Sequence, residues 1–138
     1  GSLARYYVSV SYVDEGGMYK VDEGLKDYNT NANYRRWNYR LNVDMDITKS
    51  TLLKVGVAGS LDKKNEPGMA GNIWASAMRN NPISVPVMYS NGYVPAYGSE
   101  NDQLNPWVAA TQTGYQETWN NKLQANATLE QNLNFITK

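Results

Sequence analysis

Residues 38 to 47 read NYRLNVDMDI and alternate without a miss: Asn38, Arg40, Asn42, Asp44 and Asp46 take one parity, Tyr39, Leu41, Val43, Met45 and Ile47 the other. A period of two marks a strand whose two faces meet unlike surroundings. A soluble sheet would lay the apolar parity on a core and leave the polar parity in water. A barrel wall would turn the apolar parity to lipid and the polar parity to a wet lumen.

The flanking sequence repeats the pattern. Residues 4 to 13 (ARYYVSVSYV) set Ala4, Tyr6, Val8, Val10 and Tyr12 against Arg5, Tyr7, Ser9 and Ser11. Residues 51 to 61 set Leu53, Val55, Val57 and Leu61 against Lys54, Gly56, Ala58 and Ser60, and residues 119 to 129 set Trp119, Leu123, Ala125, Ala127 and Leu129 against Lys122, Gln124, Asn126 and Thr128. Strands are therefore predicted near 4–13, 37–47, 51–61 and 119–129, with another beginning at 133. Thr48-Lys49-Ser50 and Glu130-Gln131-Asn132 read as tight turns. The stretch 14–34 holds three glycines and an Asn-Thr-Asn-Ala-Asn run, so it reads as a connection with room for a short irregular hairpin. Residues 62–117 contain all five prolines and no sustained period. Within them Ala70 to Arg79 predicts a short helix, with Ile73, Trp74 and Met78 on one side and Asn80-Asn81-Pro82 as its stop.

Connections thus alternate between very short and long. That asymmetry is the organisation of an outer-membrane barrel, in which strands of ~10 residues are joined by tight turns at one end and long external loops at the other. The totals agree with such a chain. Thirteen basic and thirteen acidic residues cancel, without clusters, which argues against nucleic acid or an anionic membrane surface as partner. With no Cys and no His, these residues offer no thiolate site, no Ser/His/Asp or Cys/His catalysis and no imidazole shuttle. No apolar run approaches the ~20 residues of a spanning helix. Eleven Tyr and four Trp beside a single Phe suit an interface, where an apolar ring body and a polar tip are both useful.

These residues also resemble a known family. YYVSVSYVDEGGMYK (6–20) is similar to the segment that follows the plug in SusC/RagA-type TonB-dependent outer-membrane transporters, and YRRWNYRLNVDMDITKSTLLKVGVAGSLDKKNEPG (34–68) resembles the next hairpin. NNPISVPVMYSNGYV (80–94) resembles a loop of that family, and 105–138 its return strand and next turn. The likeness covers residues 3 to 138. Gly1-Ser2 resembles a cloning scar and the chain stops inside a new alternating run, so an excised piece is expected.

The resemblance implies an all-β fold of antiparallel strands from a 22-stranded, plugged transmembrane barrel in the outer membrane of a Gram-negative bacterium. It implies import of oligosaccharides or peptides, energy relayed from TonB, and a SusD-like surface lipoprotein as lid. Neither plug nor TonB box is present in this stretch, and neither a cofactor nor a metal is implied. No residue is expected to be catalytic.

Two groups of residues are candidates for contact. Arg40, Asn42, Asp44 and Asp46 would face the lumen, with Arg5 or Lys54 as cross-strand partners for the carboxylates. Asp44 and Asp46 stand ~7 Å apart along one strand, which suits neither a retaining glycosidase nor an ion cage. Trp74, Tyr89, Tyr93, Tyr97 and Trp107 in the long loop could stack on sugar rings or meet the lid protein, with Asn91, Glu100, Asn101 and Asp102 for hydroxyls. They could equally be the loop's own miniature core. Tyr12, Trp37, Tyr39 and Trp119 suit a headgroup belt.

Two other readings remain open. A soluble β-sandwich that binds glycan through the aromatic loop would bury Leu41, Val43, Val55 and Val57, and a glycan-processing enzyme would need a carboxylate pair. An excised wall must also hide its apolar face from water, by self-association, by closing into a small sheet, or by packing the long loop across it.

Overall fold

The computed structural model describes residues 3–24, 27–83, 85–95 and 105–134. In chain order the elements are β1 (Ala4–Glu15), β2 (Asn33–Thr48), β3 (Thr51–Pro67), α1 (Ala70–Arg79), α2 (Pro106–Thr111) and β4 (Tyr115–Gln131). The architecture is mostly antiparallel β, with 52% of the described residues in strands and one open four-stranded sheet. Its order β1-β2-β3-β4 follows the chain, a meander in which each strand pairs with its sequence neighbours.

The strands begin and end further out than the alternation indicates. β2 starts at Asn33 rather than Trp37, β3 continues through Asp62-Lys63-Lys64-Asn65-Glu66 to Pro67, and β4 begins at Tyr115. These extensions are charged and amide-rich, so they show no hydrophobic period although the backbone stays paired. The tight turn expected at 130–132 is displaced for the same reason, because β4 runs on through Gln131. Leu133 and Asn134 are not in a strand, and the rest of the strand expected there lies outside the described residues. No strand occurs among the described residues of 16–32. Helix α1 occupies the expected span and stops at Asn80, whose backbone is extended. Helix α2 has no counterpart in the periodicity, being six residues long and set by its cap: Asn105 accepts a hydrogen bond from the Trp107 N–H at 3.0 Å, and Pro106 follows at the first helical position.

Side-chain contacts give the register. Arg5 meets Asp44 at 3.9 Å, the Asn38 amide donates to the Ser11 hydroxyl at 3.1 Å, and Tyr12 and Trp37 pair at 5.3 Å between ring centroids, so β1 and β2 are aligned by three independent contacts. Across β2, β3 and β4, a Cβ added at Gly56 would touch both Asn42 and Asn126, which places these three in one row. Lys63 lies over the Trp119 ring at 4.7 Å, and the Asn132 N–H donates to the Ser50 carbonyl, both in the same β3/β4 register. One face therefore carries the polar parity of all four strands and the other the apolar parity. A one-residue slip would exchange them.

By contacts the chain divides into two compact units: Gly1–Val13, Arg35–Lys63 and Trp119–Lys138 form one, and Asp14–Tyr34 with Lys64–Thr118 the other. In the first unit the apolar parity is not buried: Val8 is 60%, Val10 73% and Leu123 66% exposed. Leu41 is exposed and Val43, Val55 and Val57 are half-buried, so the core that a sandwich requires is absent from the described sheet. Nor does the sheet close on itself, since β1 and β4 are its edges. Of the three ways of hiding the apolar face, the closed small sheet is not adopted.

The buried apolar residues found, Ile73, Ala109 and Ala110, belong to the second unit, where α1 meets α2 and Tyr19 packs against them. The Asn-rich run supplies the rest of its cohesion. Asn31 Oδ1 accepts from the Tyr19 N–H at 3.1 Å and its amide donates to the Gly17 carbonyl at 3.0 Å, Asn33 Oδ1 accepts from the Gly17 N–H at 3.1 Å, and the Asn65 amide donates to the Asn29 and Asn31 carbonyls, each at 2.8 Å. Side-chain amides here do what a strand ladder would do. Gly17 is required by this closeness, because a Cβ would collide with the Ala32 carbonyl and the Asn31 side chain. Gly17→Ala should cost about 1–3 kcal/mol through the forced backbone shift. Faster amide exchange at Tyr19, with the sheet amides unchanged, is the expected readout, and unchanged exchange there would refute the collision.

Candidate functional site

The polar face of the first unit holds a shallow basin of about 450 Å³. Its walls are long side chains, Arg36 and Arg40 on β2 and Lys122 and Gln124 on β4. Its floor is the small parity of β3, Ala58 and Ser60, while Ser9, Ser11 and Tyr7 of β1 complete the rim. The physical cause is local: β3 contributes Gly56, Ala58 and Ser60 in succession on this face, so a trough runs between taller neighbours. Arg36 donates its Nε–H to the Asn38 amide oxygen at 2.9 Å and forms an ion pair with Asp62 at 3.3 Å, although Asp62 Oδ1 accepts no hydrogen bond. Arg40 and Lys122 form no ion pair with a described residue.

Of the four polar residues singled out from the sequence, Arg40 borders the basin, Asn42 stands in the next row beside Gly56, and Asp44 pairs with Arg5 as one of the two expected cations. Lys54 goes elsewhere, to Glu130. Asp46 borders a separate shallow hollow at the hairpin turn, near Thr48, Lys49 and Gln131. Among the described residues no group of three Asp, Glu, His or Cys side chains is placed to hold a metal ion. The sequence reading missed Arg36–Asp62, Lys122 and Ser60 as members of a site. Their parity was legible, but only the register brings four strands to one basin.

The apolar face has its own order. Tyr12, Trp37, Tyr39 and Trp119 all lie on it, toward the end of the sheet away from the tight turn, with Lys63 across the Trp119 ring. Tyr39 lies over Gly59, where any Cβ would strike its ring and hydroxyl, so the glycine makes the seat for the tyrosine.

The described aromatic residues proposed for substrate or partner contact, Trp74, Tyr89, Tyr93 and Trp107, fall in the second unit. Trp74 on α1 packs its ring against Tyr19 at 6.4 Å yet remains 54% exposed. Tyr89 and Tyr93 bracket a turn in which the Tyr89 N–H donates to the Tyr93 carbonyl at 2.8 Å and Gly92 takes a positive φ of 83°. Trp107 is half-buried on α2, and Tyr115 stacks on Tyr28 at 5.7 Å. Tyr97 lies outside the described residues, as do Glu100, Asn101 and Asp102. The unit's miniature core is Ile73, Ala109 and Ala110 rather than these rings, because the close approach of two short helices selects alanine.

No helix among the described residues is long and apolar enough to cross a membrane, which bears on helices alone. Comparison with family models, curated proteins and solved structures returns no match.

Proposed function

We propose that this chain is part of the barrel wall of a TonB-dependent outer-membrane transporter of the SusC/RagA type, which imports oligosaccharides or peptides together with a SusD-like surface lipoprotein. The observation that carries the reading is a sheet with one polar face and one uncovered apolar face, the latter ending in an aromatic belt. In water such a face is a liability. In a bilayer it is the outer surface of a barrel, and Tyr and Trp gather where headgroups begin. The dimensions agree. From Leu53 to Lys63 is roughly 33 Å along a strand, which projects to about 25 Å at a ~40° tilt, the height of the apolar band of such barrels. A two-residue turn joins β2 to β3, whereas much longer stretches join β1 to β2 and β3 to β4, again as in that class. The remaining strands, the plug and the TonB contact belong to the whole transporter. The soluble sandwich has no comparable support, since its core residues are not buried.

The chain has no native cysteine, so single cysteines can report each face. A fluorophore at Val43, Val57 or Leu123 should be quenched by lipids brominated on the acyl chain and ignored by aqueous iodide. At Asn42, Ala58 or Gln124 the preference should reverse. Equal iodide quenching at all six positions in lipid vesicles would end the barrel-wall reading.

A further inference from the structure

The basin on the polar face says something about what passes along it. We propose that it is a subsite for acidic oligosaccharides, in which Arg40 and Lys122 receive a carboxylate or sulfate carried on a sugar ring; the role of the basin as part of a transport route rests on the transporter reading above. Three observations converge. Arg36, Arg40 and Lys122 border the basin, and Asp62 takes up Arg36 alone, leaving two cations on opposite walls without a described counter-charge. The neighbouring part of the same face is different, because there Arg5 and Lys54 are matched by Asp44 and Glu130. Excess positive charge is thus confined to the basin.

The second observation is the floor. Ser60 is 4% exposed and lines the basin beside Ala58. Its hydroxyl, a donor and an acceptor in one group, therefore stands at the bottom of the basin where a ligand hydroxyl would meet it. The third is the lining. Serine hydroxyls and the Asn38 and Gln124 amides can donate and accept in turn, which matches a ring carrying several hydroxyls, and the half-exposed Tyr7 offers an aromatic plate to the ring's C–H face. An apolar ligand would leave these groups unpaired. A neutral sugar would use the hydroxyls and waste the charges, whereas an acidic one uses both. The volume is within the range of small-ligand clefts, about 300–1,000 Å³.

Tri-galacturonate, its fully methyl-esterified form and tri-glutamate separate the possibilities by calorimetric titration of the full chain in detergent micelles. The acid should bind about tenfold more tightly than the ester, and the difference should shrink as salt rises. Arg40→Gln and Lys122→Gln should each weaken tri-galacturonate by roughly 3- to 10-fold and leave the ester unchanged, while Lys54→Gln on the same face should change neither. Ala58→Leu fills the floor without altering charge and should weaken both sugars. Circular dichroism of each variant keeps unfolding from being read as lost binding.

Equal binding of acid and ester, or indifference to both cation substitutions, would overturn the subsite. Tri-glutamate binding as tightly as tri-galacturonate would overturn the sugar class. If the face-labelling experiment puts Val57 in lipid and no preference for the acid appears, this inference fails alone. If Val57 faces water while the preference persists, the transporter reading fails and the basin stands as an acidic-sugar surface.

Discussion

Val57→Arg should lower the stability of the chain folded in lipid vesicles by about 2–4 kcal/mol, the cost of an arginine on the lipid face near the bilayer midplane. Val57 sits midway along the apolar parity of β3, between Leu53 at the turn end and Leu61 beside the aromatic belt, so a guanidinium there cannot reach either interface easily. Ala58→Arg, one residue along, projects to the polar face and should cost less than about 1 kcal/mol, since a lumen-side charge stays in water. Urea titration of vesicle-folded protein measures both. The contrast is the decisive quantity. On a sheet in water the order would vanish, because an arginine replacing a half-buried surface valine keeps its guanidinium in water there. Equal small effects at 57 and 58 would therefore remove the bilayer from the account of this protein.

Asn105→Ala should destabilise the second unit by roughly 2–4 kcal/mol, because one buried side chain serves three backbone groups. Asn105 is 2% exposed, accepts from the Trp107 N–H, and donates to the Pro86 and Val87 carbonyls at 3.3 and 3.2 Å. Alanine would leave the cap of α2 open and two carbonyls without their donor. Asn105→Asp keeps the acceptor for Trp107 and loses the donor, so an intermediate loss is expected. Hydrogen exchange of the Ala109 and Gln112 amides, which donate to Asn105 and Val108, reads the effect directly. If α2 exchanges at the parent rate in Asn105→Ala, the helix is held by something other than its cap. The sheet amides of β2 and β3 serve as the internal reference.

Both sites show how unevenly the sequence discloses its structure. The strand at 38–47 was legible because its parity is unbroken, and α1 because Ile73, Trp74 and Met78 recur at helical spacing before an Asn-Asn-Pro stop. Residues 62–67 gave no such signal, since Asp62-Lys63-Lys64-Asn65-Glu66-Pro67 has no apolar parity; they are strand because β3 has a partner on each side. Helix α2 was invisible for another reason, being too short for a period and specified by a single asparagine cap. The Asn-Thr-Asn-Ala-Asn run read as a plain connection, whereas its amides replace backbone partners across distant segments. Nothing local announces that role.

The sequence by itself determined that this protein is built of strands with one greasy and one polar face, because alternation is a property of consecutive residues and survives any tertiary arrangement. It also determined the chemistry open to these residues, since a chain without Cys or His cannot acquire their reactions by folding. Only the tertiary structure decided which polar residues act together. Arg40, Ser60 and Lys122 lie on three strands, and their meeting depends on the register of β2 with β3 and of β3 with β4. Tertiary structure likewise decided that Val8, Val10 and Leu123 on the apolar parity are exposed, because burial depends on what lies opposite a face, and a strand's own residues do not encode that.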